Sequence, residues 1–313
     1  EQAVQSIHRT GCAKFMLTLV TDQWERMLNR LAHLRRLRAE SPLLAHAVAG
    51  WHIEGPFLSD KPGFYGAHDP ASLIDPTVGR LQQLRAAAGN DRLMLTIAPE
   101  RVGAIEAMQQ AVSADIRVSL GHTDASTQVL ADAIRAGATG FTHLGNGCPP
   151  LWDRHDNIVW RVLDLNQLSV SLIPDGVHVS PPLFRLIHRS IPAHSLLYVS
   201  DAMAAAGMPP GRYRLRDVEI DVAADGIVRM PGTAQYAGSS LSEPLGCSVV
   251  PGAMFGRTTV SSPPTGSDST TASFQPHRPT FACSIAPPMA ALRPSKHSSP
   301  DASTLPCLAP TSK

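Results

Sequence analysis

Short apolar, β-rich runs alternate with amphipathic stretches through most of this chain, and that alternation restricts the fold more than any other feature. The runs fall at 15–20, 47–53, 93–98, 117–120, 140–144, 168–173 and 196–199, with helical patterns at 22–40, 77–88, 101–114, 126–136, 157–164 and 182–189 between them. STQVLADAIRAGA is the clearest helix: a Ser near its start, apolar Val129, Leu130, Ala133 and Ile134, and Gly137 where a terminal cap belongs. Strands that are apolar throughout and separated by helices predict a parallel sheet covered on both faces. The spacing is close to the roughly 31 residues of one unit of a (β/α)8 barrel. An open doubly wound sheet would offer a Gly-rich first turn, which is absent. The expectation is therefore α/β, a TIM-type (β/α)8 barrel that is incomplete, with seven strands visible.

The charge balance, 27 Lys and Arg against 26 Asp and Glu, gives no field that would collect nucleic acid or an anionic membrane, so neither is expected as a partner. Five scattered cysteines with no CxxC pair indicate a reducing, cytoplasmic setting. No apolar run reaches a membrane span, and the start lacks both a signal-peptide pattern and an initiator Met, so the chain is read as beginning within a longer protein. Near residue 244 the composition shifts abruptly to Ser, Thr and Pro. The expected organisation is a partial barrel over 1–243 and a tail without a packed core over 244–313. That tail reads as a linker or interaction segment, or as a stretch translated out of frame. Alternation over 212–237 predicts a β insert with a turn at Asp225-Gly226.

Most strand runs end in a titratable residue: Glu54 in GWHIEGPF, His122 in VSLGHTDAS, His143 in GFTHLGN, His178 in IPDGVHV and Asp201 in LYVSDAM. In a parallel barrel these ends share one rim, so residues remote in sequence converge. Glu54, His122 and His143 are the carboxylate and two imidazoles that suit zinc with a position left for water. Taken singly, a strand-end His is more often structural and a lone Glu more often solvated. Joint placement favours a site. His52 shares the face of Glu54 and belongs either behind the site or in the core. Cys148 reads as inert, and His8, His33, His46, His188 and His194 as surface residues. Arg35, Arg36 and Arg38 read as a solvated helix face, and Asp124 as orienting His122 or capping a helix.

HIEGPF, KPGFYGAHDP, APE, LGHTDAS, THLGN, PDGVHV and VSDAM, in that order and ending near YAGSSL at about residue 242, resemble the N-acetylglucosamine-6-phosphate deacetylases of the amidohydrolase superfamily. The resemblance implies a metal-dependent (β/α)8 hydrolase that removes acetyl from the 2-acetamido group of an amino sugar phosphate. It implies metal ligands at Glu54, His122 and His143, an acid/base at Asp201, and His178 beside the substrate carbonyl. It implies sugar and phosphate contacts at His68, Asn146 and Gly147, and an arginine, Arg154, reaching a phosphate in a neighbouring subunit, hence a homodimer. The metal is expected to be zinc, with iron as the alternative and one or two ions open.

The chain departs from this family in the turn after His143, which reads HLGNGCPP instead of an aromatic-rich or Asn-Ala-Met turn, and in LWDRHDNIVW where an Arg-Glu-Pro-Gly stretch is usual. Both lie on the sugar and phosphate side, leaving open an unphosphorylated or different N-acetyl amino sugar. Family members also begin with part of a β-sandwich and a first barrel strand, neither recognisable here, which predicts a bare sheet edge. The alternatives are an amidohydrolase for another amide, and an inactive fragment of such an enzyme.

Overall fold

Each apolar run settles as a strand whose neighbour in sequence is also its neighbour in the sheet, and each amphipathic run packs back across it. The computed structural model describes residues 1–9, 11–215, 218–233, 236–239 and 283–285. A short helix α1 (Gln2–Arg9) leads into β1 (Phe15–Val20), α2 (Trp24–Glu40), α3 (Pro42–Ala47) and β2 (Val48–Glu54). Then come α4 (Val78–Ala88), β3 (Leu93–Ile97), α5 (Ala104–Ser113), β4 (Ile116–Leu120), α6 (Thr127–Arg135) and β5 (Gly140–Phe141). The parallel series finishes with α7 (Ile158–Leu165), β6 (Ser169–Leu172), α8 (Pro181–Ser190) and β7 (Leu196–Tyr198). β1 to β7 pair in sequence order, all parallel, as one curled sheet in the connectivity of a TIM-type barrel.

Local chemistry places the helix ends. Ser126 accepts from Val129 N at 3.3 Å to start α6, and Thr77 accepts from Arg80 N at 3.2 Å to start α4. Asn157 caps two amides of α7, Val159 N and Trp160 N. The helices press Met27, Leu31, Leu81, Leu84, Met108, Leu130, Val159 and Phe184 onto sheet residues such as Leu95, Ile97, Val118, Leu120 and Val170, all buried. Each such side chain contributes about 1.5–3 kcal/mol.

Four features differ from the sequence reading, beginning with α1, a helix ahead of every expected one. α3 was not foreseen: Ser41 caps it by accepting from Leu44 N at 3.4 Å, and Pro42 supplies the first turn. β5 is two residues long instead of the expected 140–144, because the backbone turns left-handed at His143 (φ 32°). The outer edge of β1, expected bare, carries a three-residue strand β11 (Cys283–Ile285) in parallel register, Phe15 opposite Cys283. An edge strand's free N–H and C=O groups are a template for such pairing. The rest of the stretch after residue 244, and with it the tail reading, lies outside the described residues.

After β7, β8 (Gly211–Leu215), β9 (Val218–Val222) and β10 (Val228–Arg229) form a small antiparallel sheet. Its turn falls at the expected Asp225-Gly226, with Gly226 at φ 77°. Tyr213, Ile220, Val222 and Val228 make its apolar face together with Met203 and Ala205. Among the described residues no helix is long and apolar enough to cross a membrane.

Candidate active site

Glu54, the last residue of β2, is buried, and its Oε1 receives both imidazoles: His143 Nε2 at 2.7 Å and His122 Nε2 at 3.2 Å. The ligand-competent atoms of the three residues lie within 4.8 Å of one another. Each partner leaves its strand through a left-handed backbone, His122 at φ 51° after β4 and His143 at φ 32° after β5, and Asp201 after β7 repeats this at φ 47°. Non-glycine residues seldom sit there, at about 1–3 kcal/mol each, and such conformations gather at functional sites. Three of the five non-glycine residues at positive φ among the described residues belong to the predicted site.

The ring of His122 is held from several sides. Its Nδ1 lies 2.9 Å from the carbonyl of Phe64, and a carbonyl only accepts, so Nδ1 carries a proton and Nε2 is the atom that meets Glu54 here and would offer its lone pair to a metal. Gly147 (φ 58°) lies so close that a Cβ there would meet His122 Nδ1 at 2.5 Å, and one at Gly66 would meet the ring carbon at 3.1 Å. His68 stands edge-on to the same ring, centroids 4.6 Å apart. Asn146 folds back, its Nδ2 donating to the carbonyl of His143 at 3.1 Å.

Beneath these three residues a belt of buried side chains crosses the sheet. His52 Nδ1 meets Thr18 Oγ1 at 3.1 Å and His52 Nε2 meets Thr96 Oγ1 at 2.7 Å. Thr96 Oγ1 continues to Thr142 Oγ1 at 2.8 Å and that to Ser119 Oγ at 2.7 Å. His52 therefore sits directly behind the site. Burial lowers its pKa to about 4, so the ring is neutral.

Electrostatics follow from these contacts. Burial by itself would raise the Glu54 pKa, but hydrogen bonds from His122 and His143 hold it well below the usual carboxylate range. Burial would lower that of His143; the hydrogen bond and charge of Glu54, with the charge of Asp201, lift it to about 9. Burial and the Glu54 charge raise the Asp201 pKa above that of an ordinary aspartate. His68 drops to about 3 through burial and the neighbouring His122. Asp201 also feels the charge of His178, whose Nδ1 lies 2.6 Å from Asp175 Oδ2.

Five of the predicted residues thus belong to one buried neighbourhood: Glu54, His122, His143, Asp201 and His178. His68 and the Asn146–Gly147 turn wrap its edge. Arg154 stands apart, exposed, with its carbonyl accepting from Trp160 Nε1. Asp124 neither orients His122 nor caps α6: it pairs with Lys61 and, at 3.0 Å, with Arg161. Burial pushes the Cys148 thiol up to about 12, the direction that disfavours the reactive thiolate. His188 is not a plain surface residue, since its Nδ1 meets Tyr198 Oη at 2.7 Å. Sequence reasoning missed Asp175, although its place three residues before His178 was a usable signal, and the Phe64 carbonyl, for which a sequence holds none.

The residues present fit a divalent metal. Two buried imidazole Nε2 atoms converge on one carboxylate oxygen, the His122 tautomer leaves a lone pair toward the centre, and His143 Nδ1 is buried without a hydrogen-bond partner among the described residues.

No protein-family model matches the chain. It is 32% identical over 232 residues to N-acetylglucosamine-6-phosphate deacetylase of Vibrio furnissii, covering 74% of this chain and 57% of that protein. It is 35% identical over 195 residues to N-acetylgalactosamine-6-phosphate deacetylase of Escherichia coli O157:H7, covering 62% and 50%. The structure of a mutant N-acetyl-D-glucosamine-6-phosphate deacetylase from Mycobacterium smegmatis, in complex with N-acetyl-D-glucosamine-6-phosphate, superposes with a TM-score of 0.69 at 37% identity, covering 76% of this chain and 61% of that one. The chain thus spans about half the length of the curated relatives it matches. Identity of this level across three quarters of the chain, joined to the shared fold, makes this chain a member of the N-acetylglucosamine-6-phosphate deacetylase family.

Proposed function

We propose that this chain hydrolyses the acetamide of an amino sugar 6-phosphate, N-acetylglucosamine 6-phosphate first among them, to the amino sugar phosphate and acetate. The observation that carries the reading is the convergence of His122 Nε2 and His143 Nε2 on Glu54 Oε1 at the rim of the parallel sheet. A divalent metal, zinc or iron, held by these three residues would bring the pKa of water toward about 7 and so supply a nucleophile at neutral pH.

Asp201 then has two proton tasks. As a carboxylate it accepts the proton that water loses on attacking the acyl carbon; as the acid it returns that proton to the amine nitrogen, since an amine departs only when protonated. Its raised pKa suits the second task, because an ordinary aspartic acid gives up its proton too readily to hold it between steps. His178 faces the acyl oxygen as a hydrogen-bond donor, a role commonly worth about 3 kcal/mol of transition-state stabilisation. His68 and the Asn146–Gly147 turn hold the sugar and its phosphate, and Arg154, exposed on its loop, is free to reach the phosphate of a second copy in a homodimer. Relatives are named for both N-acetylglucosamine and N-acetylgalactosamine 6-phosphates, so both epimers are substrates to test.

The test is metal content by elemental analysis of the purified chain, beside amine release from N-acetylglucosamine 6-phosphate, its galactosamine epimer and free N-acetylglucosamine. About one metal per chain with turnover of a phosphorylated sugar supports the reading. A chain that binds no metal and releases no amine from any of the three overturns it.

A further inference from the structure

Asp175 is absent from every role discussed so far, yet its contacts are those of a residue that aims another. It follows β6 in the turn Pro174-Asp175-Gly176, and one carboxylate oxygen, Oδ1, accepts from Val177 N and His178 N, both at 2.9 Å. Those bonds lock the turn and commit the other oxygen, Oδ2, to the ring of His178, 2.6 Å from Nδ1. Both side chains are largely buried, His178 6% and Asp175 14% exposed. The Asp175 pKa is held down by that contact against the opposing effect of burial, so the group is a carboxylate and can only accept.

We propose that Asp175 is a positioning residue for His178, fixing the proton on Nδ1 so that Nε2 is the atom the ring turns to the acyl oxygen and Asp175 balances the charge of the ring that donates there. The tautomer follows from hydrogen-bond logic: with an acceptor opposite Nδ1, the neutral ring has a lone pair at Nε2 and only the doubly protonated ring can donate from it. A carboxylate 2.6 Å away is the partner such an imidazolium needs. The groups facing the ring are Asp175 from its own turn, Asp201 from the end of β7, and the Tyr236 ring, centroids 5.1 Å apart. Asp175 thus holds the ring directly, while Asp201 lies near enough for the two charges to be felt. The inference rests on the deacetylase reading for what Nε2 faces, but not for the tautomer.

The experiment combines Asp175→Asn, His178→Gln and the double variant, each loaded with metal. Asp175→Asn keeps an oxygen for the two backbone amides but sets an NH2 group against the ring. Nitrogen-15 NMR of histidine-labelled protein is expected to show that His178 Nδ1 has lost its proton in this variant. Turnover is expected to fall about tenfold or more at unchanged metal content. Adding Asp175→Asn to His178→Gln should cost less than twofold more, because Asp175 acts only through the ring; a structural role would add in full. Turnover within twofold of wild type in Asp175→Asn, additive losses in the double variant, or a His178 ring that keeps its Nδ1 proton in Asp175→Asn would each overturn the proposal. Wild type inactive on all the sugars would instead defeat the deacetylase reading, and the NMR spectrum would still decide the role of Asp175.

Discussion

At one rim of the parallel sheet, ahead of β3, Asp91 gathers every donor within reach: Trp51 Nε1 at 2.9 Å, Arg35 Nε at 3.0 Å and Arg38 Nη1 at 3.1 Å, while its carbonyl takes Arg85 Nη2 at 2.7 Å. At the other rim, where β2 ends, Glu54 is surrounded by two imidazoles that share one of its oxygens, a left-handed backbone on either side, and a buried ring nitrogen with no partner among the described residues. The same strand, β2, supplies Trp51 to the first and Glu54 to the second, on opposite faces. Asp91 ties α2, α4 and the sheet together with matched charges and ordinary backbone. The Glu54 rim keeps conformational cost and unmet hydrogen-bonding capacity in place, which is useful only if something binds there. In a parallel barrel, stability belongs to the amino-terminal rim and chemistry to the carboxyl-terminal one.

Substitutions separate the two rims, and the largest effect is expected at the ligands. His122→Asn should lose metal and turnover together, by about 10³-fold or more in kcat, since a Lewis acid contributes several kcal/mol. Asp201→Asn should keep its metal and still lose about 10²–10⁴ in kcat. Equal metal content in these two variants would mean that the ligand and acid/base roles are wrongly divided. Gly147→Ala puts a Cβ against the His122 ring from a left-handed backbone and should weaken metal binding about 10- to 100-fold, the scale for disturbing a ligand's support. Metal titration that leaves this variant equal to wild type would show that the ring is not clamped there.

The amino-terminal rim should answer in stability alone. Asp91→Asn is expected to cost about 1–2 kcal/mol in denaturant unfolding, with kcat of the metal-loaded protein unchanged. Its pH dependence has a definite sign. The Trp51 and Arg35 hydrogen bonds hold the folded Asp91 pKa below 3.8, outweighing burial, so the unfolded chain takes up protons first as acid is added. The stability contributed by Asp91 is therefore complete above about pH 4 and fades as pH falls through the folded value, so wild type and Asp91→Asn should converge in acid. A constant gap between their unfolding curves down to pH 3 would assign the loss to packing instead.

What the sequence made legible follows the same division. The carboxyl-terminal rim could be read because its residues are chemically unusual at a regular place: a Glu, two His and an Asp, each at the end of an apolar run, need no knowledge of contacts to be gathered. The Asp91 rim could not. Arg35 and Arg38 looked like a solvated helix face because the partner that half-buries them lies beyond β2 and α4, in a loop where an Asp is unremarkable. Asp124 was misread for a related reason: nearness in sequence to His122 suggested a partnership, whereas Lys61 comes from the loop after β2 and Arg161 from α7. The strand β11 was beyond reach, since three residues with no helical or apolar period carry no signal of a sheet edge elsewhere.

The belt behind the ligands is built almost wholly of hydroxyls that can rotate, and His52 is the one member that cannot. If its proton is on Nδ1, Thr18 accepts, Thr96 donates to Nε2, Thr142 donates to Thr96 and Ser119 donates to Thr142; if it is on Nε2, Thr18 donates, Thr96 accepts, and the Thr96 hydrogen is released to turn toward Thr142. The belt is therefore fully polarised with the proton on Nδ1 and released beyond Thr96 with it on Nε2, so one proton on one ring decides whether the dipoles from β1 to β4 are aligned. A substitution at Thr18 would in this way be felt at Ser119, three strands across, with no movement of the backbone between them.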